Sequence, residues 1–502
     1  MRNPYNMTNI CADCLIEIAL KDNAENEADA RRNLREWLKS YTCDTQLGAM
    51  LFNVNYHISY IPSKVWDMPW QRLDGTKPRY EDFAEDEWTR EYVRAHEMGI
   101  EPYRIAMEET RKTGAEVWFS VRMNEFHYLR FPYACASLWK ERPDLRLGEK
   151  QAFDYEKKEV RDYYLMYIKE ICENYEIDGI ELDLWRGPEF FHKPVTSEKA
   201  QIITDFLKEI RAVVKEIAEA KNRTIRISAR TDIHPDLALA RGFDSAQWVA
   251  DGSVDVLTLA VFWIPTPYAA FIEEWVERMT EKGIDRSAYG INVCADLASF
   301  CMKYDEPGIK WLCPDTVNLK GFAATHFDLG ADGLYTFNIN NRDYALPGEA
   351  RDVDFSEFMS REKVKKGARR HILTYDEENT AERTQLKAKL DVGEALKLAL
   401  HTSDAPQEGR YLIEIGTNQR VDWKVSINGK LCQYAGIPKG KPYDAAAPLN
   451  IKEISGTAKY MVLYEPAESG AVKDGWNTFD LQNVSEEKVE VTWFSVSITQ
   501  DR

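Results

Sequence analysis

Apolar positions in the first three quarters of the chain alternate between two periods. Segments with an apolar residue every three to four positions are followed by short apolar runs. This order of helix and strand builds a parallel sheet covered by helices. Residues 23–40, rich in Glu, Ala, Arg and Leu, predict a helix, and the run 47–55 after them predicts a strand with Asn53 and Asn55 near its end. Residues 84–113 predict more helix, interrupted at Gly99 and Pro102, and lead into a strand over 117–124. Within 157–175, Val160, Tyr164, Ile168 and Ile171 share one helical face, and Asp178-Gly179 makes the turn into Ile-Glu-Leu-Asp-Leu at 180–184. Side chains alternate along a strand, so Glu181 and Asp183 point one way and the three aliphatic residues the other. In a closed barrel the aliphatic set faces the outer helices and the carboxylates face the axis.

The alternation continues with an amphipathic helix over 200–219 and strands over 225–230, 254–263, 289–296 and 333–338. Seven strands are clear, and the eighth is expected between residues 56 and 116 or before residue 22. The expected fold is α/β, a (β/α)8 barrel over residues 1–380. An open doubly wound sheet fits less well, because no glycine-rich first turn is present to hold a nucleotide. From about residue 385 short extended pieces take over (397–401, 409–415, 423–427, 460–464, 489–498), with an Asn428-Gly429 turn signal. They predict a β-sandwich over 385–502, reached through a linker near 374–379.

Composition narrows the partners. The net charge of −18 argues against nucleic acid or an anionic membrane surface, and an uncharged ligand fits better. No run of about 18 apolar residues is present to span a membrane, and the first residues lack the apolar core of a signal peptide. A cytoplasmic protein is the expectation. Nine cysteines form no framework. Cys11 and Cys14 make a lone CxxC with no second pair, so reduced thiols are expected rather than zinc. The 14 Trp, 25 Tyr and 20 Phe serve mostly as core, and some are available to stack on sugar rings.

Barrel enzymes carry their chemistry at the C-terminal ends of the strands. That rule selects Asn53, Asn55 and His57; Arg122, Asn124, Glu125 and His127; Glu181, Asp183, Trp185 and Arg186; Arg230, Asp232 and His234; and Trp263, Asp296, Asn338 and Asn340. Carboxylates, amides, guanidinium groups and Trp together are what cleavage of a glycosidic bond requires. Asp183 leads as the catalytic carboxylate, with Arg186 close enough in sequence to hold it ionised and Glu181 one layer deeper to tune it. Asp232, Glu125 and Asp296 compete to be the second carboxylate, with Asp232 slightly favoured between Arg230 and His234. The histidines have no HxxxH-type spacing, so hydrogen bonding to hydroxyls is expected of them, and neither a metal nor a cofactor.

The stretch Glu159-Val-Arg-Asp-Tyr-Tyr-Leu165 followed by Tyr175-Glu-Ile-Asp-Gly-Ile-Glu-Leu-Asp-Leu-Trp-Arg186 resembles the signature of bacterial glycosyl-hydrolase-like barrel proteins, the family-10-like group. Phe52-Asn-Val-Asn55, Trp118-Phe-Ser-Val-Arg-Met-Asn124 and Phe337-Asn-Ile-Asn340 add weaker echoes, so the likeness runs over about residues 45 to 340. The resemblance implies a (β/α)8 barrel acting on carbohydrate, with Arg122, Asn124, Asp183 and Arg186 at matched positions. The tail resembles accessory domains that follow such barrels. The strand ending at Asp296 lacks the Glu common there in barrel glycosidases, which leaves the acid–base pair open. The expected function is a glycoside hydrolase. The alternatives are a non-catalytic carbohydrate-binding protein, and a lyase or isomerase acting on a sugar acid.

Overall fold

The computed structural model describes residues 2–83, 86–125, 134–148, 152–261, 271–296, 299, 302–305, 308–311, 315–339, 353–374, 385–386, 388–437 and 460–500. Eight parallel strands close into a barrel in chain order: β1 (Asn3–Ile10), β2 (Leu47–Asn53), β3 (Glu116–Arg122), β4 (Gly179–Asp183), β5 (Arg226–Asp232), β6 (Val256–Ala260), β7 (Gly290–Asp296) and β8 (Gly333–Phe337). The eighth strand is thus the first in the chain. Its sequence, Asn-Pro-Tyr-Asn-Met-Thr-Asn-Ile, carries more polar residues than the apolar run of β2, Leu-Gly-Ala-Met-Leu-Phe-Asn.

The helices around the strands are α1 (Ala12–Ala19), α2 (Glu27–Thr42), α3 (Glu87–Glu97), α4 (Pro102–Lys112), α5 (Ser137–Glu141), α6 (Lys158–Asn174), α7 (Ser197–Ala220), α8 (Pro235–Ala240), α9 (Ser245–Ala250), α10 (Ile272–Glu281) and α11 (Thr316–Asp328). Helix α2 starts later than its composition predicts because Asn26 caps it, accepting from the backbone N–H groups of Ala28 and Asp29. The stretch 84–113 divides as expected: Gly99 takes φ +70° after α3, and Pro102 opens α4. Helix α7 buries Ile203, Phe206, Leu207, Ile210 and Val214 on one face. Each such side chain contributes roughly 1.5–3 kcal/mol. No helix of the described residues is long and apolar enough to cross a membrane.

Inside the barrel the composition changes with depth. At the N-terminal end the Trp118 ring lies where a Cβ on Gly179 would stand 2.2 Å from it, so β4 must begin with glycine. One layer up, Glu181 Oε1 accepts from Asn9 Nδ2 at 2.8 Å and from Ser120 Oγ at 2.7 Å. The Asn9 bond reaches from β1 to β4, so the polar layer spans the axis. The next row aligns Arg122, Asp183, Arg230, Thr258 and Asn292 across β3 to β7.

The C-terminal strands are β9 (Arg369–Ile372), β10 (Ala388–Leu390), β11 (Ala395–His401), β12 (Gly409–Thr417), β13 (Trp423–Ile427), β14 (Lys430–Gly436), β15 (Tyr460–Pro466), β16 (Trp476–Asn483) and β17 (Val489–Gln500). They form one antiparallel sheet in the order β9-β17-β12-β15-β14-β13-β16-β11, with β10 also on β17. The sheet folds over a single apolar core that includes Leu398, Ile413, Val425, Phe479 and Phe494. Within 374–379, only Thr374 of the expected linker lies among the described residues.

By compactness the chain divides into Met1–Phe262 with Glu273–Val293, and Trp263–Ile272 with Cys294–Arg502. Helix α11 and β8 therefore share a unit with the sheet. In that unit Gly321 of α11 lies so close to β9 that a Cβ would stand 1.9 Å from the Arg370 carbonyl oxygen.

Candidate active site

Strands β3, β4 and β5 bring the site together at their C-terminal ends. Asp183, the last residue of β4, is only 1% exposed. Its Oδ1 accepts the Trp185 backbone N–H at 3.0 Å, and its Oδ2 lies 3.4 Å from Arg230 Nη1. The expected cation was Arg186, three residues on. The structure pairs Asp183 with Arg230 instead, because the two residues are register partners on adjacent strands. Arg186, three residues past Asp183, is also buried.

Asp232 ends β5 and is 3% exposed. Burial pushes its carboxyl up to about 6, although the His234 backbone N–H at 3.1 Å and Arg241 Nε at 3.3 Å both favour the charged form. Arg241 follows α8, and its guanidinium stands 5.1 Å from the centre of the Trp185 ring. Its side chain is 30% exposed, more open than the carboxylate it touches. Trp185 is buried, and its Nε1–H has no hydrogen-bond partner among the described residues.

Glu125 is tied to Arg122 by a fully buried ion pair of 2.7 Å. The same guanidinium lies 4.0 Å over the Tyr56 ring and donates to Cys11 Sγ at 3.3 Å. Glu125 thus has its carboxylate engaged by a buried cation. Asn55 exchanges hydrogen bonds with the Arg122 backbone at 3.0 and 3.1 Å, so its side chain adds one rung to the β2–β3 ladder. Asn124 bonds the Phe153 backbone on both sides and the Glu189 carbonyl, which joins two loops. His57 is buried, stacked on Phe153 at 5.6 Å with its edge to Trp139 at 5.8 Å. Burial pushes it down to about 4 against the pull of Glu125, so the imidazole is neutral at pH 7. His234 caps α8, its Nδ1 accepting from the Asp236 N–H at 3.1 Å.

Asp296 ends β7 and Asn338 follows the last residue of β8, both in the second compact unit. Asp296 bonds Ser299 of its own loop, and Asn338 takes φ +53°. His127, Trp263 and Asn340 lie outside the described residues. No cluster of His, Cys, Asp and Glu among the described residues has the form of a metal site.

Two contributors had not been singled out from the sequence. Asn9 stands on the strand whose pattern was weakest. Arg241 is nine positions past Asp232, with a short helix between them, and nothing in its local pattern marks it. A cleft of about 750 Å³ lies at the other end of the strands, lined by Arg111, Glu116, Asp178, Lys221, Arg223 and Arg226. Its charges pair internally, as in Arg226–Glu116 at 2.5 Å and Arg111–Asp178 at 3.4 Å. That end of a barrel serves stability.

Asp183 and Asp232 thus end neighbouring strands, each beside a guanidinium, Arg230 at 3.4 Å and Arg241 at 3.3 Å, and burial raises the proton affinity of Asp232.

No family model matches the chain, and no curated protein matches it. Among solved structures it is similar to the endo-beta-1,4-mannanase from Thermotoga petrophila, at 9% identity and a TM-score of 0.42, covering 99% of this chain and 98% of that one. It is also similar to chitinase ChiA74 from Bacillus thuringiensis (9%, 0.40, 97% and 100%). A third is the PgaB (BpsB) glycoside hydrolase domain from Bordetella bronchiseptica (12%, 0.44, 71% and 99%). These are likenesses of fold at very low identity.

Proposed function

We propose that this protein hydrolyses a glycosidic bond at the C-terminal mouth of its barrel. The observation that carries this reading is the pair of buried carboxyl groups, Asp183 and Asp232, at the C-terminal ends of adjacent strands. Asp232, with its carboxyl pushed up to about 6, holds its proton into the mildly acidic range and can give it to the departing oxygen. Asp183, paired with Arg230, stays available as nucleophile or as the base that activates water. Trp185 offers the apolar face on which a sugar ring stacks. The separation of the two carboxyl carbons around a bound sugar sets the outcome, about 5–5.5 Å for retention and about 6.5–9.5 Å for inversion.

The charges support a neutral glycan over a sugar acid. Arg122 is committed to Glu125, Arg230 to Asp183 and Arg241 to Asp232. A carboxylated substrate would have to compete with a resident carboxylate for each of these three arginines.

The test is kinetic, on a panel of aryl glycosides and oligosaccharides. Asp183→Asn is expected to lower turnover on the order of 10²–10⁴-fold on every substrate. Asp232→Asn is expected to lower it strongly on poor leaving groups and little on activated aryl glycosides, which depart without a proton. An active wild type that is indifferent to Asp183→Asn would sink the assignment.

A further inference from the structure

Cys11 and Cys14 take no part in the chemistry above. Cys11 is the N-cap residue of α1, in extended conformation with φ −63° and ψ 153°, and its carbonyl accepts the Leu15 N–H at 3.1 Å. Cys14 therefore occupies the third helical position. N-cap and third-position side chains face each other across the first turn, the relation that the capping box exploits. The matching Cα spacing falls in the range of about 4.4–6.8 Å that a disulfide bridges.

The two thiols differ in surroundings. Cys11 is 2% exposed, and its Sγ accepts from Arg122 Nη2 at 3.3 Å at the positive end of α1. Asp13, the acidic residue of this first turn, accepts from Tyr56 Oη at 3.1 Å. Cys14 is half-buried and has access to solvent. None of Cys135, Cys172 and Cys432 has a cysteine three residues away.

We propose that Cys11 and Cys14 form a redox-active dithiol at the mouth of β1, oxidised by a small-molecule disulfide such as oxidised glutathione. The Cys14 thiolate attacks one sulfur of that disulfide, whose S–S bond breaks and releases one thiolate, which takes up the proton Cys14 gave. The Cys11 thiolate then attacks Cys14 Sγ, expels the second small thiolate, which is protonated in turn, and closes the Cys11–Cys14 bond. Two protein thiols are oxidised and one disulfide is reduced to two thiols. Closure withdraws the sulfur acceptor from Arg122, which is the register partner of Asp183. The dithiol does not depend on the glycosidase assignment.

The full chain is incubated with oxidised glutathione, blocked with N-ethylmaleimide and digested with trypsin. Cleavage after Arg2 and Lys21 gives one peptide, residues 3–21, that holds both cysteines and no other. This peptide is expected to lose two hydrogens and take no label, while exposed Cys43 carries glutathione. Dithiothreitol restores labelling at both sites. In Cys11→Ser, Cys14 is expected to keep its glutathione, because no thiolate resolves it. Two alkylated cysteines in the wild-type peptide, or a lasting adduct on Cys14, under conditions that modify Cys43 would overturn the proposal.

Discussion

The barrel axis and the core of the C-terminal sheet solve opposite problems. The main core cluster of the sheet is aliphatic and aromatic, with Leu398, Ile413, Val425, Phe479 and Phe494 among its members, and its buried Glu414 is set apart, held by Arg370 at 3.4 Å and Ser497 at 2.9 Å. The barrel axis holds Asn9, Ser120, Glu181, Asp183 and Arg230, every one of them buried. Burying such groups costs several kcal/mol unless each finds a partner. The bonds from Asn9 and Ser120 to Glu181, and from Arg230 to Asp183, offset that cost. The sheet gains stability from its interior. The barrel gives stability up at its axis and recovers it on the outer face of its strands, against the helices.

This contrast can be tested by substitutions on each side. The largest stability effect belongs to the sheet: Phe479→Ala is expected to cost about 3–5 kcal/mol in chemical denaturation, with turnover per folded molecule unchanged. A loss below about 1 kcal/mol would mean that the sheet's core is not the close-packed body described here.

In the barrel the expected sign reverses. A carboxyl whose value rises to about 6 on folding contributes stability that is complete below its unfolded value near 3.9, and that stability is lost as pH rises through 6. Asp232→Asn should therefore stabilise the protein at pH 7 by about 1–2 kcal/mol while lowering activity. Thermal melts at pH 5 and pH 7 check this, since the gain should shrink at the lower pH.

A smaller effect is expected at Arg241. Removing a cation 3.3 Å from Asp232 raises the acid's proton affinity further. In Arg241→Gln the alkaline limb of the pH–rate profile should move up by about one unit or less, and a downward shift would contradict the pairing. The smallest effect is expected on the outside of the sheet, where Tyr434 is 57% exposed. Tyr434→Ala should change stability by less than about 0.5 kcal/mol, which a denaturant midpoint would show.

The same contrast explains what could be read in advance. The barrel was legible because short apolar runs such as β2 and β6 recur between helical patterns, and because Glu181 and Asp183 fall at alternate positions of β4. Strand β1 was harder to place, since its inward Asn9 and neighbouring polar residues mimic a solvated segment. In the sheet, β13 was anticipated to the residue, whereas β14 and β16 were not. Lys430-Leu-Cys-Gln-Tyr-Ala-Gly436 is largely exposed on both faces and shows no apolar run, and β16 alternates with polar residues along its length. The ion pairs were the least legible part. Arg186 was the obvious partner for Asp183 by proximity in sequence, but register across strands selects Arg230, and only a turn after a short helix brings Arg241 to Asp232.

The approach of α11 to β9 at Gly321 leaves no room for even a methyl group, and it joins the last helix of the barrel's repeating pattern to the first strand of the sheet. Such a joint works against modular exchange. A foreign C-terminal partner grafted onto this barrel would need a backbone path that skirts Gly321 just as closely, so helix and sheet are expected to be inherited, shuffled and lost together.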